Sequence, residues 1–144
     1  MITLLQRVSE ARVDVDEATI ARVGQGILVL VGIQADDDGQ LARYFVDRIL
    51  NYRVFADPDG KMNLSLIDIE GGLLLVPQFT LAANTKKGRR PSFTSAASPQ
   101  HGKRIFDIML DYARAGYDQV ACGQFAADMK VHLVNDGPVT FILD

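Results

Sequence analysis

Ile27-Leu28-Val29-Leu30-Val31-Gly32-Ile33 is a near-unbroken β-branched and leucine run, the pattern of a strand buried on both faces. Gly24-Gln25-Gly26 breaks the chain just before it. Upstream, Ala11, Val13 and Val15 alternate with Arg12, Asp14 and Asp16, placing apolar side chains on one strand face, and Thr19–Val23 reads as a second strand. These three strands form the heart of a sheet. Downstream, Asp36-Asp37-Asp38 supplies helix-capping and first-turn carboxylates. Leu41, Tyr44, Phe45, Ile49 and Tyr52 then follow at helical spacing, with Arg43 and Asp47 turned outward. That helix carries one stripe for the sheet.

Tyr52–Ala56 reads as extended, and Asp57-Pro58-Asp59-Gly60 predicts a hairpin, because proline presets φ and glycine accepts a left-handed conformation. Gly71-Gly72 introduces a further interior strand, Leu73–Leu81. Ala82–Ser98 is polar, basic and rich in Gly, Pro, Ser and Thr, as expected of one long functional loop. Pro99 opens a helix with Ile105, Ile108, Met109, Tyr112 and Ala113 as its buried stripe, ending at Ala115-Gly116. Two closing strands are expected, one with Met129, Val131 and Leu133 on a face, the other with Val139, Phe141 and Leu143. Asn135-Asp136-Gly137-Pro138 separates them. About seven strands and two helices, with strands consecutive rather than alternating with helices, predict an α+β fold. Its sheet is curved and largely antiparallel, packed by two main helices, with barrel-like closure left open. No repeat, linker or low-complexity tract divides residues 1–144, which are read as a single domain.

Composition narrows the function. The 144 residues are 48% hydrophobic and 23% charged, the balance of a globular domain. A chain of this length buries roughly 68–70% of its unfolded surface, enough for a core without staples. One cysteine, Cys122, cannot form an internal disulfide. The opening residues contain no apolar signal segment, and no run approaches the about 18 residues of a membrane span. The expected location is therefore cytoplasmic. A net charge of −3 argues against sequence-blind coating of nucleic acid, while leaving room for a local basic patch. His101 and His132 are the only imidazoles, so no His/Cys zinc cluster can be assembled. Asp36-Asp37-Asp38 lacks the glycine and terminal glutamate of a calcium loop and is read as helix capping. No nucleophile elbow, P-loop or dinucleotide fingerprint is present, and no metal or cofactor is expected. His132, between Val131 and Leu133, is read as a surface histidine rather than a general base.

Three segments stand out. Pro77-Gln78-Phe79-Thr80-Leu81 places Gln and Thr where an interior strand meets the long loop, which is where rigid scaffolds present reactive groups; an ordinary strand terminus is the alternative. Asn135-Asp136-Gly137-Pro138-Val139-Thr140 contains a tertiary amide for which cis costs only about 0.5–1 kcal/mol more than trans, which would set successive carbonyls side by side. Such carbonyls can hold an ammonium group, although a plain turn is the commoner use. Lys86-Lys87-Gly88-Arg89-Arg90-Pro91-Ser92-Phe93 concentrates four cations on an otherwise acidic chain. RNA phosphate contact, aided by Gly88 and a stacking Phe93, and a solvated charge run are equally open.

Together these segments change the reading. QRV at Gln6–Val8, RVF at Arg53–Phe55, GKMN at Gly60–Asn63, PQFTLAA at Pro77–Ala83, RPSF at Arg90–Phe93, FAADM at Phe125–Met129 and NDGPVTF at Asn135–Phe141 make the chain resemble the D-aminoacyl-tRNA deacylases. The likeness runs collinearly over the whole chain. The family pattern usually reads SQFTL, so Pro77 removes a serine hydroxyl here. The resemblance implies hydrolysis of the ester joining a D-amino acid to the terminal ribose of tRNA, with glycine mischarged on tRNA(Ala) as a second substrate. It implies a homodimer in which the Gly137-Pro138 pair of one subunit, as a Gly-cis-Pro unit, enters the other's active site. Its carbonyls would hold the substrate's α-ammonium and drive an L side chain into protein. Arg7 would help fix that loop. Main-chain groups at Gln78, Phe79 and Thr80 would serve catalysis, with the ribose 2′-hydroxyl assisting, because no triad partner for Thr80 is evident. Lys86, Lys87, Arg89 and Arg90 are candidate tRNA contacts. A nucleic-acid-binding protein on the same fold without deacylase activity is the alternative from a different class.

Overall fold

In the computed structural model, which describes residues 1–144, the sheet is built on β1 (Ile2–Val15), β2 (Ala18–Val23) and β3 (Gly26–Gly32). These are followed by α1 (Gly39–Asn51), β4 (Phe55–Ala56), β5 (Met62–Leu64) and β6 (Gly72–Pro77). A one-turn 3-10 helix (Phe79–Ala82), α2 (Pro99–Gly116), β7 (Val120–Cys122) and β8 (Lys130–Leu143) complete the chain. The main sheet runs β2-β1-β3-β6-β7, with β8 also pairing β1. Pairings among β1, β2, β3 and β8 are antiparallel; β3–β6 and β6–β7 are parallel. The expected two-helix, curved and largely antiparallel architecture holds, nearly closed as a barrel, with one parallel flank.

β3 is central because both of its faces are covered. Ile27, Val29 and Val31 pack with Leu5, Leu73 and Leu75 beneath the helices, whereas Leu28 packs with Val8, Val13, Leu74 and Val76 inside the curve of the sheet. At about 1.5–3 kcal/mol for each fully buried aliphatic side chain, this double burial explains why no polar residue interrupts the run. Gly26 permits the parallel pairing: a Cβ there would lie 1.9 Å from the Gly72 carbonyl oxygen.

Asp38 caps α1, its carboxylate accepting the Leu41 amide at 2.8 Å. Asp37 is buried and accepts from the Met1 ammonium at 2.6 Å and the Gln34 amide at 2.7 Å. Asp37 and Asp38 of the acidic triplet therefore serve the fold. The buried stripe of α1 is Ala42, Phe45, Val46, Ile49 and Leu50, rotated from the expected one, so that Tyr44 is 57% exposed. The rotation follows from α2, whose Ile105, Phe106 and Met109 pack in the same cluster and draw the smaller Ala42 and Val46 inward.

On α2, Phe106 and Leu110 are buried where Tyr112, expected inside, is exposed, and three expectations about strands are also corrected. β6 stops at Pro77 rather than running to Leu81, and Phe79–Ala82 turns into the 3-10 helix. β7 at Val120–Cys122 is an additional short strand, too brief to show periodicity. The two expected closing strands are one strand, β8, because both halves pair with the same neighbour, β1. The Gly-Pro turn chemistry interrupts that strand without reversing it. Gln6 pairs with Thr140 and Val8 with Asn135, so two steps along β1 face five along β8 and the surplus is extruded as a loop.

Candidate active site

Two local structures hold the segments singled out in the sequence. The first is the segment leaving the parallel flank. Gln78 donates its amide to the Val31 carbonyl at 2.7 Å, continuing the β6 register by one bond before the chain turns. Amides alternate sides along a strand, so the missing N–H of Pro77 faces the β7 side, where pairing has ended at Leu75–Cys122. Proline is thus accommodated without loss of a ladder bond. Gly32 lets the turn lie against β3, since a Cβ there would sit 2.7 Å from the Leu81 Cβ.

Phe79 and Thr80 occupy the first positions of the 3-10 helix, where amide hydrogens have no partner earlier in the helix, and no side chain caps them. The Gln78 side-chain amide donates to the Thr80 hydroxyl. Beside this turn lies a cavity of about 570 Å³ whose walls include Val31, Pro77, Phe79, Phe93, Pro99 and Phe125. Phe79 and Phe93 stand at its rim with ring centroids 5.2 Å apart, and remain 60% and 42% exposed.

The long loop is better organised than its composition suggests. Asn84 and Ser92 exchange both backbone bonds, at 2.8 and 3.0 Å, and the Ser95 hydroxyl donates to the Ala82 carbonyl. Lys86, Lys87, Arg89 and Arg90 are therefore carried on an exposed tip closed at its base, beside the Phe79–Phe93 pair.

The second structure is the loop extruded from β8. The Gly137–Pro138 peptide bond is cis and Gly137 has φ +129°. Arg7 reaches it from β1: Nε donates to the Asp136 carbonyl at 3.0 Å and Nη1 to the Val54 carbonyl at 2.7 Å. Arg7 is only 15% exposed, so its planar fork is held between the loop and the Arg53-Val54-Phe55 segment. Val54 is placed in turn by the β4–β5 hairpin. There the Asp57 carboxylate accepts the Asn63 side chain at 2.8 Å and the Lys61 and Asp59 amides at 2.9 Å each. Those bonds, Asn63 first, hold the Asp57 carboxyl below its ordinary value of 3.8. The GKMN segment thus acts through Asn63 on the hairpin.

His132 lies on β8 beside Asp14, 3.0 Å from its carboxylate, and is absent from the cavity wall. No cluster of His, Cys, Asp and Glu capable of holding a metal is present. No helix is long and apolar enough to cross a membrane.

The model of the D-Tyr-tRNA(Tyr) deacylase family matches residues 4–144. The chain belongs to that family. D-aminoacyl-tRNA deacylases of Pseudomonas aeruginosa and Alkalilimnicola ehrlichii are 56% and 58% identical over 144 residues, covering the whole of this chain and 99% and 96% of theirs. A solved structure titled c-Myc DNA Unwinding Element Binding Protein superposes with TM-score 0.95 at 37% identity, covering 100% of this chain and 98% of that one. A probable eukaryotic D-amino acid tRNA deacylase, at 20% identity and TM-score 0.87, covers 99% of this chain and 97% of its own, and shares the fold. Like other members of the D-Tyr-tRNA(Tyr) deacylase family, the chain is a hydrolase of the D-aminoacyl-tRNA deacylase kind. Among residues that sequence reading did not single out are Val54, whose carbonyl anchors Arg7, and Asn135 and Thr140, which bond to each other across the extruded loop. Asn135 and Thr140 lie inside the NDGPVTF segment and Val54 inside RVF, which are the signals that could have found them, although the carbonyl that Val54 uses leaves no side-chain sign.

Proposed function

We propose that the protein hydrolyses the ester of D-aminoacyl-tRNA, and of glycine mischarged on tRNA(Ala), as a cytoplasmic homodimer whose Gly137-Pro138 loop enters the partner's site. The observation that carries this reading is the loop's anchorage: Arg7 ties the Asp136 carbonyl to the Val54 carbonyl with bonds of 3.0 and 2.7 Å. With the loop anchored in this way, the Gly137 and Pro138 carbonyls accept from an α-ammonium and leave no room for an L side chain, while a D side chain points outward and glycine has nothing to exclude. Rejecting the L form by 10⁴ requires about 5.5 kcal/mol, within reach of a backbone clash but beyond what one methylene supplies. A dimer is supported by the division of the site. The wall of the cavity beside Gln78 and Phe79 includes no residue of Asn135–Thr140, so a second copy would bring selector and catalytic segment together.

Within the site, the Phe79 and Thr80 amides stabilise the oxyanion that forms as water adds to the ester carbonyl. The bond to the ribose oxygen then breaks, releasing the D-amino acid and free tRNA. The ribose 2′-hydroxyl acts on the attacking water, because Thr80 lacks a base to make it a nucleophile; its hydroxyl instead accepts from Gln78. The apolar cavity with its aromatic rim suits the terminal base, and Lys86, Lys87, Arg89 and Arg90 contact phosphate. The decisive experiment is paired hydrolysis of D- and L-tyrosyl-tRNA by the purified protein. Selective loss of the D ester is expected, and equal breakdown of both would falsify the reading.

The name of the neighbour at 37% identity favours one second reading, a nucleic-acid-binding protein without esterase activity. Fluorescence binding to duplex DNA, measured alongside D-tyrosyl-tRNA turnover, separates the two: binding without turnover would identify it.

A further inference from the structure

The extruded loop is held from two sides, and Arg7 accounts for only one. On the other, the Asn135 side chain spans the loop's mouth: its Oδ1 accepts the Val139 amide at 3.1 Å and its Nδ2 donates to the Thr140 hydroxyl at 2.9 Å. Gln6, the cross-strand partner of Thr140, donates to the same hydroxyl at 3.5 Å. Asn135 and Thr140 are the last residues paired with β1 before and after the surplus segment, so these bonds close the loop where the ladder is interrupted. The Val139 amide would otherwise lie inside an irregular segment and exchange partners with water, letting Gly137 and Pro138 move.

We propose that Asn135 and Thr140 are positioning residues for stereochemical selection: their side-chain clamp, not Arg7 alone, fixes the Gly137-Pro138 carbonyls at the distance that excludes L substrates. The inference rests on the reading of that loop as the chiral selector. A clamp of this kind acts on discrimination more than on the chemical step, because the catalytic amides belong to Phe79 and Thr80 on a different element. Loosening it admits the L side chain and raises L turnover, while the D ester is still hydrolysed.

The test compares first-order deacylation of D- and L-tyrosyl-tRNA by Asn135→Leu and Thr140→Val, which remove the polar groups at near-constant volume, and by Asn135→Asp and Thr140→Ser, which retain them. In Asn135→Asp, Oδ1 still accepts the Val139 amide and the Thr140 hydroxyl turns to donate to the other oxygen. The expected result is a fall in the D:L rate ratio of tenfold or more in the first pair, driven mainly by a rise in the L rate, with the ratio restored to within about threefold of wild type in the second. An unchanged ratio, or D and L rates falling together, overturns the proposal. Should Asn135→Leu not fold, the Thr140 pair decides alone. Pro138→Ala is run beside them. An unchanged ratio in that variant means that the selector reading itself has failed, whereas a changed ratio there with none in Thr140→Val means that only the clamp has.

Discussion

Arg7 and Gly137 fill adjoining space so closely that a Cβ on Gly137 would lie 3.0 Å from Arg7 Nη2 and 2.8 Å from Val139 Cγ2. With φ at +129°, the position is also one that L side chains rarely adopt. Gly137→Ala therefore forces the loop away from the guanidinium, at a cost of about 1–3 kcal/mol in backbone strain. The D:L ratio of deacylation rates should fall at least tenfold. Arg7→Lys should lower it as well, since an ammonium cannot make the planar two-pronged contact with the Asp136 and Val54 carbonyls. A ratio that survives both changes would remove Arg7 from any role in selection.

Thr80 distinguishes side-chain from RNA-assisted catalysis. Thr80→Ala leaves the amide in place and removes the hydroxyl that accepts from Gln78, together with the γ-methyl. Its single-turnover rate should stay within about tenfold of wild type, whereas a substrate ending in 2′-deoxyribose should lose on the order of 10²-fold or more, the usual worth of proton-transfer assistance. The opposite pattern restores Thr80 as nucleophile.

The basic tip should be read through salt. Replacing Lys86, Lys87, Arg89 and Arg90 with alanine should raise KM for D-aminoacyl-tRNA. The dependence of log KM on log salt should flatten by about 0.7–0.9 for each phosphate that the variant no longer neutralises. A variant with wild-type KM and slope would show these cations to be solvated only.

Ala126, on the wall of the apolar cavity, is held at φ +62°, a left-handed conformation that costs a residue with a Cβ about 1–2 kcal/mol. Glycine avoids that cost but loses about 0.4–1 kcal/mol through its freer unfolded chain. Ala126→Gly should therefore raise Tm by about 2–4 °C in calorimetry. A lowered Tm would mean that the Cβ contributes packing that outweighs the strain.

The hairpin that presents the Val54 carbonyl has a pH signature. The Asp57 carboxyl lies below 3.8 in the folded protein, so its stabilisation is complete above the unfolded value and is lost as pH falls through the folded one. The stability gap between wild type and Asp57→Ala, measured by urea unfolding, should be constant from neutrality to about pH 5 and narrow below 3.8. A gap that widens in acid would reverse the assigned sign.

Much of this was legible in the chain. The buried run of β3, the Asp38 cap of α1, the Pro99 start of α2 and the turn at Asp57–Gly60 each follow from local chemistry, and all are present. What escaped was decided at a distance. Leu81 has the composition of a strand residue, yet Gly32 offers the turn a seat against β3. Asn135-Asp136-Gly137-Pro138 has the composition of a hairpin, yet both of its flanks find β1. The candidate site was readable as segments but not as an arrangement, because a carbonyl such as that of Val54 has no side-chain signature.

The surplus segment in β8 also has a phase. Leu143 is 1% exposed and Thr140 meets Gln6 because the loop between Asn135 and Thr140 takes up the surplus and the strand rejoins β1 with its faces in order. A one-residue slip of the pairing beyond Thr140 would swap inward for outward at every later position and turn Leu143 to solvent; the unpaired loop absorbs the odd residue count without such a slip. The same segment that is read as the selector thus also keeps the second half of β8 in step with β1.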